Sequence, residues 1–476
     1  MPSRRRLTRI TTGVCAAVCG ALVWATAGQA ASPTLIAVGT ISGFYEDFAT
    51  QTSAPLEDGV RGNRLGGIGS GLAYLGGDFF LALPDRGPNA VAFNPCSDDT
   101  VTYINRFHTV HMSLSPSDPA AGGLPFTVTP MVLDTTLLSS KTPLVYGSGC
   151  GLLGDGTPEL NATDHTNYFT GRSDGFDPLL PSTNPGNARF DTEGIRASNN
   201  LHRVYISDEY GPYVYEFDRL SGQRVRAFTL PKKFAITKLF AQGALEIASN
   251  SVGRVTNKGM EGLAITPDGR MLVGAMQSPL AQDGGDVKGG VTRIVTIDIP
   301  TGKTHEYAYQ LDAGTKTTIS EIVAVNNHEF LVDERDSKGL GDDSQAVFKK
   351  LYKIDLANAF DVSDLSGQAN LAPHAVPKGQ PFLDIVAALT GAGFNPFDIP
   401  AKIEGLAFGQ DIKVGNQVKH TLYVVNDNDY SPVVTNTHGT TTSNPNRIFV
   451  FAFSDTDLPG FIQQQFKDDD DQDRQR

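Results

Sequence analysis

The chain is poor in the residues that most metal and redox sites use: it has four cysteines, nine histidines and one tryptophan among 476 residues. It contains no Cys-x-x-Cys, His-Glu-x-x-His or Gly-x-x-x-x-Gly-Lys sequence, which excludes the usual thiol-redox, zinc-protease and phosphate-loop motifs. Ser70 and Ser148 are flanked by glycines but do not stand in a Gly-x-Ser-x-Gly sequence. A serine esterase is therefore not expected.

Basic residues are also scarce, with 39 Lys and Arg against 52 Asp and Glu. Residues 1–30 combine a basic start, an apolar run and small residues, which predicts a signal peptide, by either the general or the twin-arginine route. Its removal takes four arginines and lowers the net charge from −13 to −17. We therefore expect a secreted or periplasmic monomer without a stable membrane anchor, and no nucleic-acid partner, because phosphate backbones require a basic surface.

Cys15 and Cys19 leave with the predicted signal peptide, so Cys96 and Cys150 are the only pair in the mature chain. Disulfides form and persist in the compartments to which exported proteins travel. We expect a Cys96–Cys150 disulfide, and two reduced buried thiols are the alternative.

Long helical periodicity is scarce, whereas 50 glycines and 28 prolines separate many short runs rich in β-branched residues. One hairpin pattern recurs five times, and further strands follow most copies. The copies are GSGLAYLGGDFFLALPDRGPN at 69–89, DTEGIRASNNLHRVYISDEYGP at 191–212, GMEGLAITPDGRMLVGAMQSP at 259–279, ISEIVAVNNHEFLVDERD at 319–336 and KIEGLAFGQDIKVGNQVKHTLYVVNDND at 402–429. Repeated four-stranded units predict an all-β chain folded as a β-propeller.

We expect five to six four-stranded blades over residues 34–455. A sixth blade would have to lie in residues 137–190, which otherwise form a long surface insertion. The strand TLIAVGTISGF near the N-terminus has no neighbour of its own, and the last unit ends with NRIFVFAF. Pairing of these two strands would close the ring and cover an exposed edge. Residues 456–476 are predicted to be an acidic, disordered tail.

In a propeller, the start of each innermost strand and the end of the next strand share one face. Acidic residues occupy both places. Glu193, Glu261, Glu321 and Glu404 start the inner strands, with Ser70 in the first unit; the hairpin ends carry Asp85, Arg86, Asp208, Glu209, Gln277, Glu334, Arg335, Asp336, Asp427, Asn428 and Asp429. So many carboxylates at one channel mouth would repel one another unless they are protonated, paired or neutralised by a cation.

Calcium is the expected cation, because the predicted ligands are oxygens without cysteine. The alternative is that each acid caps its own turn or pairs with a neighbouring cation, namely Arg86, Lys258, Arg335 or Lys402.

The five motifs together resemble the phytase-like family, also described as esterase-like activity of phytase, of exported bacterial propellers. The resemblance covers about residues 34–455 and implies phosphoester hydrolysis with a Ca²⁺ requirement. Two departures are Ser70, which replaces an acid, and the long cysteine-containing section over residues 90–190.

For a phosphoesterase, the expected Ca²⁺ ligands are Glu193, Asp208, Glu209, Glu261, Glu404 and Asp427. The expected catalytic residues are Arg86, Arg335 and Lys258, which would bind the phosphate, and Glu261. Two alternatives stay open. One is a metal-dependent lactone or carboxylic ester hydrolase, and the other is a non-catalytic propeller of the cell envelope that binds a polar ligand.

Overall fold

A computed structural model of the chain describes residues 33–88, 97–98, 100–118, 122–147 and 154–467. The predicted signal peptide, Cys96 and Cys150 lie outside these residues, so the predicted cleavage and disulfide stay predictions. Among the described residues, none of the helices combines the length and apolar character needed to cross a lipid bilayer.

The described chain forms short antiparallel strands, in keeping with its β-branched runs and frequent turns. The strands are β1 (Thr34–Ile41), β2 (Gly71–Gly76), β3 (Phe79–Leu83), β4 (Arg106–Pro116), β5 (Phe126–Leu137), β6 (Ser139–Ser140), β7 (Asn167–Tyr168), β8 (Thr192–Ala197), β9 (Arg203–Asp208), β10 (Tyr213–Asp218), β11 (Arg224–Thr229), β12 (Met260–Ile265), β13 (Met271–Met276), β14 (Val291–Asp298), β15 (Thr304–Gln310), β16 (Thr318–Ala324), β17 (Glu329–Arg335), β18 (Lys349–Asp355), β19 (Leu383–Asp384), β20 (Ile403–Phe408), β21 (Ile412–Val414), β22 (Gln417–Asn426), β23 (Val433–Thr435), β24 (Thr441–Ser443) and β25 (Asn446–Phe453).

Helices are few and short. They are α1 (Leu160–Asp164), α2 (Gly243–Ser249), α3 (Gln368–Leu371) and α4 (Ile385–Gly391), with 3-10 turns at Thr50–Thr52, Lys232–Phe234, Ala281–Asp283 and Ala372–His374. Only α4 has a side-chain cap in the expected place, where Asp384 accepts the N–H of Ala387. None of these helices lies in the hairpin repeats.

Five four-stranded sheets form the blades of a propeller, which confirms the predicted fold class. Blade 1 holds β2 to β5, blade 2 holds β8 to β11, blade 3 holds β12 to β15, and blade 4 holds β16 to β19. Blade 5 holds β20, β22, β25 and β1. The innermost strands β2, β8, β12, β16 and β20 contact one another in a closed ring. We call the opening where they begin the upper mouth and the other end the lower opening.

The two chain ends close the ring. The outer strand of blade 5 is β1, which pairs antiparallel with β25 from Thr34 opposite Ala452 to Ile41 opposite Asn446. This confirms the predicted closure, and its physical reason is that β25 would otherwise present an unpaired edge. Apolar side chains then fill the space between blades, as where Phe80 of blade 1 packs against Tyr423 of blade 5 at 4.6 Å between ring centroids.

The section between blades 1 and 2 does not form a sixth blade. Its described part contains only α1 and the two-residue strands β6 and β7. Phe169 and Phe190 from this section are fully buried against Tyr215 and Phe217 of blade 2. The ring therefore has five blades, and this section is an insertion that packs against both blade 1 and blade 2.

The predicted disordered tail needs a correction as far as Lys467. Residues 461–467, which we call the C-terminal strap, run across the lower opening. Ile462 N–H donates to the Val325 carbonyl of blade 4 at 2.8 Å, and Lys467 N–H donates to the Asn199 carbonyl of blade 2 at 2.8 Å. The ring of Phe461 packs on Phe408 of blade 5 at 4.5 Å. The prediction of disorder rested on the acidic residues after 467, whereas the strap before them contains apolar residues that pack on the blades.

Candidate functional site

Three glutamates stand at the upper mouth at the starts of inner strands. Glu193 on β8, Glu261 on β12 and Glu404 on β20 are 7%, 3% and 3% exposed. Each lies where the pairing register of its strand shifts, as at a β-bulge. A bulge leaves one residue out of the ladder and turns its side chain in a new direction. The bulges therefore bring the three carboxylates towards one another, and Glu261 and Glu404 both act electrostatically on Glu193.

Glu321, which the sequence places with these three, lies one position further into the channel. Ser320 is the unpaired residue of β16, so it stands where the other strands have glutamate. The Glu321 carboxylate pairs with Arg196 at 3.0 Å and accepts the Leu263 N–H at 2.9 Å. Burial raises the pKa of Glu321 to about 7, while Arg196 and backbone N–H groups oppose the shift. The prediction of four equivalent glutamates is wrong, and the ring holds three.

Glycine follows the bulged glutamate because neighbouring inner strands approach closely there. A Cβ atom at Gly262 would lie 2.8 Å from the backbone of Glu321, and one at Gly194 would lie 2.7 Å from the Leu263 nitrogen. Only glycine accommodates such an approach. Each residue of the Glu-Gly pair thus has its own role: the glutamate places a carboxylate at the mouth, and the glycine lets the neighbouring inner strand approach its backbone.

A first cluster of carboxylates joins blades 2 and 3. One oxygen from each of Asp191, Glu193 and Glu209 lies within 4.8 Å of the others, and Glu261 is hydrogen-bonded to Glu209. We call these four residues the acidic group. Burial raises the pKa of Glu193 well above its ordinary value, and Glu261 adds to the shift. Burial and the nearby Glu209 also raise the pKa of Glu261 well above its ordinary value. The Oε2 atom of Glu261 has no hydrogen-bond partner among the described residues.

A second cluster joins blades 1 and 5 and already contains a cation. One oxygen from each of Asp85, Asp427 and Asp429 lies within 4.8 Å of the others. Lys402 Nζ is 2.5 Å from Asp427 Oδ2 and 2.7 Å from Asp429 Oδ1. Burial opposes the charge on Lys402, but the two aspartates raise its pKa well above the ordinary value. We call Asp85, Asp427, Asp429 and Lys402 the aspartate–lysine group.

The backbone at this second cluster is held in an uncommon conformation. Asp429 and Tyr430 have φ angles of 51° and 54°, so two consecutive residues other than glycine are left-handed. The Tyr430 ring packs at 5.2 Å between centroids on the Tyr103 ring. Packing of this kind is what maintains a left-handed pair next to a polar cluster.

Asp208, a predicted calcium ligand, caps a turn instead. Its Oδ1 accepts the N–H groups of Asp191 and Tyr210 at 3.1 and 2.9 Å, and its Oδ2 accepts the Gly211 N–H at 3.0 Å. Burial raises its pKa to about 8, although these N–H groups oppose the shift. The turn-capping alternative therefore describes Asp208. Asp191 is the residue that sequence reasoning missed, and its signal was the acid two positions before Glu193.

The two predicted arginines reach carboxylates of the mouth. Arg86 Nη1 is 2.7 Å from Asp191 Oδ2. Arg335 Nη2 donates to Glu404, and its Nε donates to the Ser320 hydroxyl at 2.6 Å. Burial opposes their charges, but Asp191 raises the pKa of Arg86 and Glu404 raises that of Arg335. Glu404 and Asp427, both predicted calcium ligands, are thus held by Arg335 and Lys402, respectively.

Beside the mouth lies a cavity of about 850 Å³ that is rich in lysine. The predicted Lys258 lies in its wall and donates from Nζ to Gln277 Oε1 at 2.9 Å. The basic residues of the wall come from loops of blades 3, 4 and 5, and they are Lys258, Lys288, Lys316, Lys338, Lys402 and Arg335. They outnumber the acidic ones, which are Asp336, Asp342 and Asp429. We call this cavity the lysine-lined basin; its charge contrasts with the net −13 of the chain.

A Gly-x-Ser-x-Gly sequence that sequence reasoning overlooked occurs at residues 171–175. Its serine, Ser173, is buried, and its hydroxyl donates to the Ser97 carbonyl at 2.8 Å. The adjacent Arg172 Nε donates to Asp174 at 2.7 Å. This serine lies in the insertion and not on the strand-to-helix turn that exposes a nucleophile, so its contacts are structural.

Comparison with known proteins gives a family for this architecture. The family description "Phytase-like: Esterase-like activity of phytase" matches residues 63–430. The chain belongs to the phytase-like family. The predicted family is confirmed, and membership supports a hydrolase-type propeller. The bacterial origin predicted with it stays a prediction, because a matching relative is fungal.

That relative is an uncharacterized secreted protein of Arthroderma benhamiae, 27% identical over 399 residues that cover 71% of each chain. Among solved structures, a periplasmic gluconolactonase of Pseudomonas aeruginosa has 11% identity, covers 89% of this chain and 100% of its own, and has a TM-score of 0.33. A putative 6-phosphogluconolactonase of Bacteroides uniformis has 12% identity, with coverages of 79% and 86% and a TM-score of 0.31.

Proposed function

We propose that this phytase-like protein is a cation-dependent hydrolase of small anionic esters, with phosphate esters as the first class of substrate. One observation supports this most directly: a buried group of four carboxylates adjoins a cavity whose charged lining is mostly basic. Such a pair of surfaces suits a hard cation on one side and an anionic substrate on the other.

The acidic group has the donor set that a calcium ion requires. It offers carboxylate oxygens alone, and hard oxygen ligands favour Ca²⁺ over softer metals. Glu261 Oε2 is buried without a hydrogen-bond partner among the described residues, which is costly unless a ligand or water satisfies it. Asp191, Glu193, Glu209 and Glu261 would hold the ion. When bound, a calcium ion supplies positive charge for phosphoryl oxygens and makes a bound water more acidic.

The basic residues of the basin provide the contacts to the substrate. Lys258 acts electrostatically on Glu209 and Arg335 on Glu261, both in the acidic group, and Lys402 contacts Asp427 at the same mouth. Their N–H groups would donate to the anionic oxygens of the ester and stabilise charge that develops during hydrolysis. Arg86 is held by Asp191 and Asn257, so we assign it to positioning Asp191.

Glu261 has a second role in this proposal. It shares a hydrogen bond with Glu209, which leaves Oε2 to accept a hydrogen bond from the attacking water. A carboxylate in that position orients the water and receives its proton as the bond to phosphorus forms.

The family description also favours a second candidate, hydrolysis of a carboxylic ester or lactone. The same cation and the same basic residues would stabilise the negative charge on a carbonyl oxygen. The two candidates differ in the leaving group and in the need for an anionic substrate.

The purified mature protein tests both candidates. We expect it to release phosphate from p-nitrophenyl phosphate, bis-p-nitrophenyl phosphate or a sugar phosphate with Ca²⁺, and to stop when EGTA is added. Cleavage of p-nitrophenyl acetate or a lactone alone would support the second candidate. Absence of turnover on every substrate would exclude both and leave a ligand-binding protein.

Substitution of Glu261 connects activity with the site. We expect Glu261→Gln to lower kcat about 100-fold or more, as the loss of a positioned general base does. Glu159→Gln is the matched control, because Glu159 is exposed on the insertion. Equal activity of Glu261→Gln and the control would remove Glu261 from the site.

A further inference from the structure

The upper mouth has two clusters of carboxylates that lie close enough to act on each other. Asp85 of the aspartate–lysine group is influenced both by Asp427 beside it and by Asp191 of the acidic group. By spacing alone, either cluster could surround a cation, since three oxygens lie within 4.8 Å in each. The number of metal ions that the mouth takes therefore depends on what else already occupies each cluster.

The aspartate–lysine group is already satisfied by contacts within the chain. The Lys402 ammonium bridges Asp427 and Asp429 at 2.5 and 2.7 Å. Two further oxygens also have donors: Asp427 Oδ1 accepts the Asp429 N–H at 2.6 Å, and Asp85 Oδ1 accepts the Gly87 N–H at 2.9 Å. A divalent ion could enter only if it displaced the ammonium. Separation of such a pair is costly, because the charge that stays buried loses its partner.

The acidic group differs in each of these respects. In the part of the chain that the structure describes, no ion pair joins a lysine or arginine to Glu193, Glu209 or Glu261, and the ion pair of Arg86 is with Asp191. Glu261 is 3% exposed, and its Oε2 has no partner there. A buried acceptor without a donor points to a missing ligand. These carboxylates therefore have the oxygens available that the aspartate–lysine group lacks.

We propose that Lys402 takes the place of a second metal ion, so that the mouth binds a single divalent cation, in the acidic group. This inference rests on the proposed function. It adds that the acidic group holds the cation, whereas Lys402 supplies the positive charge of the second cluster. The Lys402 side chain is 30% exposed, and it lines the lysine-lined basin. Its ammonium is thus a permanent positive charge, fixed by two aspartates, that faces the space proposed for the substrate. Lys402 would donate to the anionic oxygens of the reacting group.

Calcium stoichiometry tests this inference without reference to catalysis. Metal-free mature protein would be titrated with Ca²⁺ by isothermal calorimetry, and bound calcium would be counted after equilibrium dialysis. We expect one equivalent for the wild type and two for Lys402→Met, which keeps the side-chain length but removes the charge. Lys402→Arg keeps the charge, and Lys338→Met removes a basin lysine outside the cluster; both are controls expected to bind one equivalent.

Each result distinguishes this inference from the proposed function. Two equivalents in the wild type, or one in a folded Lys402→Met, would overturn the role of Lys402 and leave the proposed hydrolase intact. No binding by the wild type would overturn the proposed cation dependence as well. If Lys402→Met does not fold, Lys402→Gln removes the charge but keeps N–H donors for the aspartates; it is expected to bind two equivalents, and one equivalent would contradict the inference.

Discussion

Asp208 positions Asp191 through the backbone, because Asp208 Oδ1 accepts the Asp191 N–H at 3.1 Å. The two residues lie 17 positions apart in the chain and belong to the two ends of one hairpin. Asp191 is in turn held by Arg86 at 2.7 Å. A residue outside the acidic group thus determines where one of its carboxylates lies.

The first prediction concerns this positioning role. Asp208→Ala removes the acceptors of three backbone N–H groups, and we expect it to weaken Ca²⁺ binding roughly 10- to 100-fold, as loss of a group behind a metal ligand does. Asp208→Asn keeps one oxygen acceptor and should weaken binding less. Calcium titration of both variants checks the order. Equal, wild-type affinity in both would show that Asp191 does not depend on Asp208.

The second prediction concerns the Arg335–Glu404 pair, which is nearly fully buried. Arg335→Met leaves the Glu404 carboxylate without its partner, and we expect the free energy of unfolding to fall by about 3–5 kcal/mol. Arg335→Met combined with Glu404→Gln removes both charges and should recover most of this loss. Urea unfolding of the metal-free proteins measures it. A double variant as unstable as the single one would show that packing, and not charge, is lost.

The third prediction concerns pH in the absence of calcium. Burial raises the pKa values of Glu193 and Glu261 well above the ordinary 4.5. A carboxyl group with a raised pKa in the folded state stabilises the protein at low pH, and this contribution is lost as pH rises towards the folded-state pKa. We therefore expect the thermal midpoint of the metal-free protein to fall as pH rises above 4.5, and Ca²⁺ to reverse the fall.

Calcium binding should accordingly release protons, because the cation replaces protons on these carboxyls. Titration in two buffers with different ionisation enthalpies measures the number released. The double variant Glu193→Gln with Glu261→Gln provides the comparison. An unchanged pH dependence in that variant would contradict the assignment to these two residues.

The fourth prediction concerns the C-terminal strap. A chain that ends at Gly460 loses the packing of Phe461 on Phe408 and the hydrogen bonds that Ile462 and Lys467 donate across the lower opening. We expect a lower thermal midpoint, and Phe461→Ala alone should cost about 2 kcal/mol, as exposure of a large apolar side chain does. A chain that ends at Lys467 is the control and should unfold like the full chain. If the chain that ends at Gly460 and the Phe461→Ala variant both unfold at the midpoint of the full chain, the strap adds no stability.

Much of the fold was predictable because its signals are local. Alternating apolar residues and turn sequences determine strands without reference to distant parts of the chain. The repeated Glu-Gly pair at Glu193, Glu261 and Glu404 was visible for the same reason, and it located the upper mouth. The ring closure by β1 and β25 followed from one strand that lacked a neighbour and one blade that lacked a strand.

Two features of the site could not be predicted, because they depend on which residue forms the β-bulge and on which atoms come into contact in the folded chain. The bulge on β16 falls on Ser320, so Glu321 is directed to Arg196 instead of the acidic group, although the sequence Ser-Glu-Ile resembles the other repeats. Asp208 is not in the acidic group, because its side chain accepts the N–H groups of Asp191, Tyr210 and Gly211. Asp191, for which the sequence predicted no role, is in that group instead.

The amino-acid sequence by itself determined the five hairpins, the family and the acidic character of the channel mouth, since each rests on short-range patterns of residue type. Only the tertiary structure decided which carboxylates already have a cation. Lys402 lies next to Asp427 and Asp429 because β20 and the end of β22 are adjacent in one blade, and the lysine-lined basin joins loops of three blades. Charge compensation depends on distances of a few ångströms, and those distances exist only after the ring has closed.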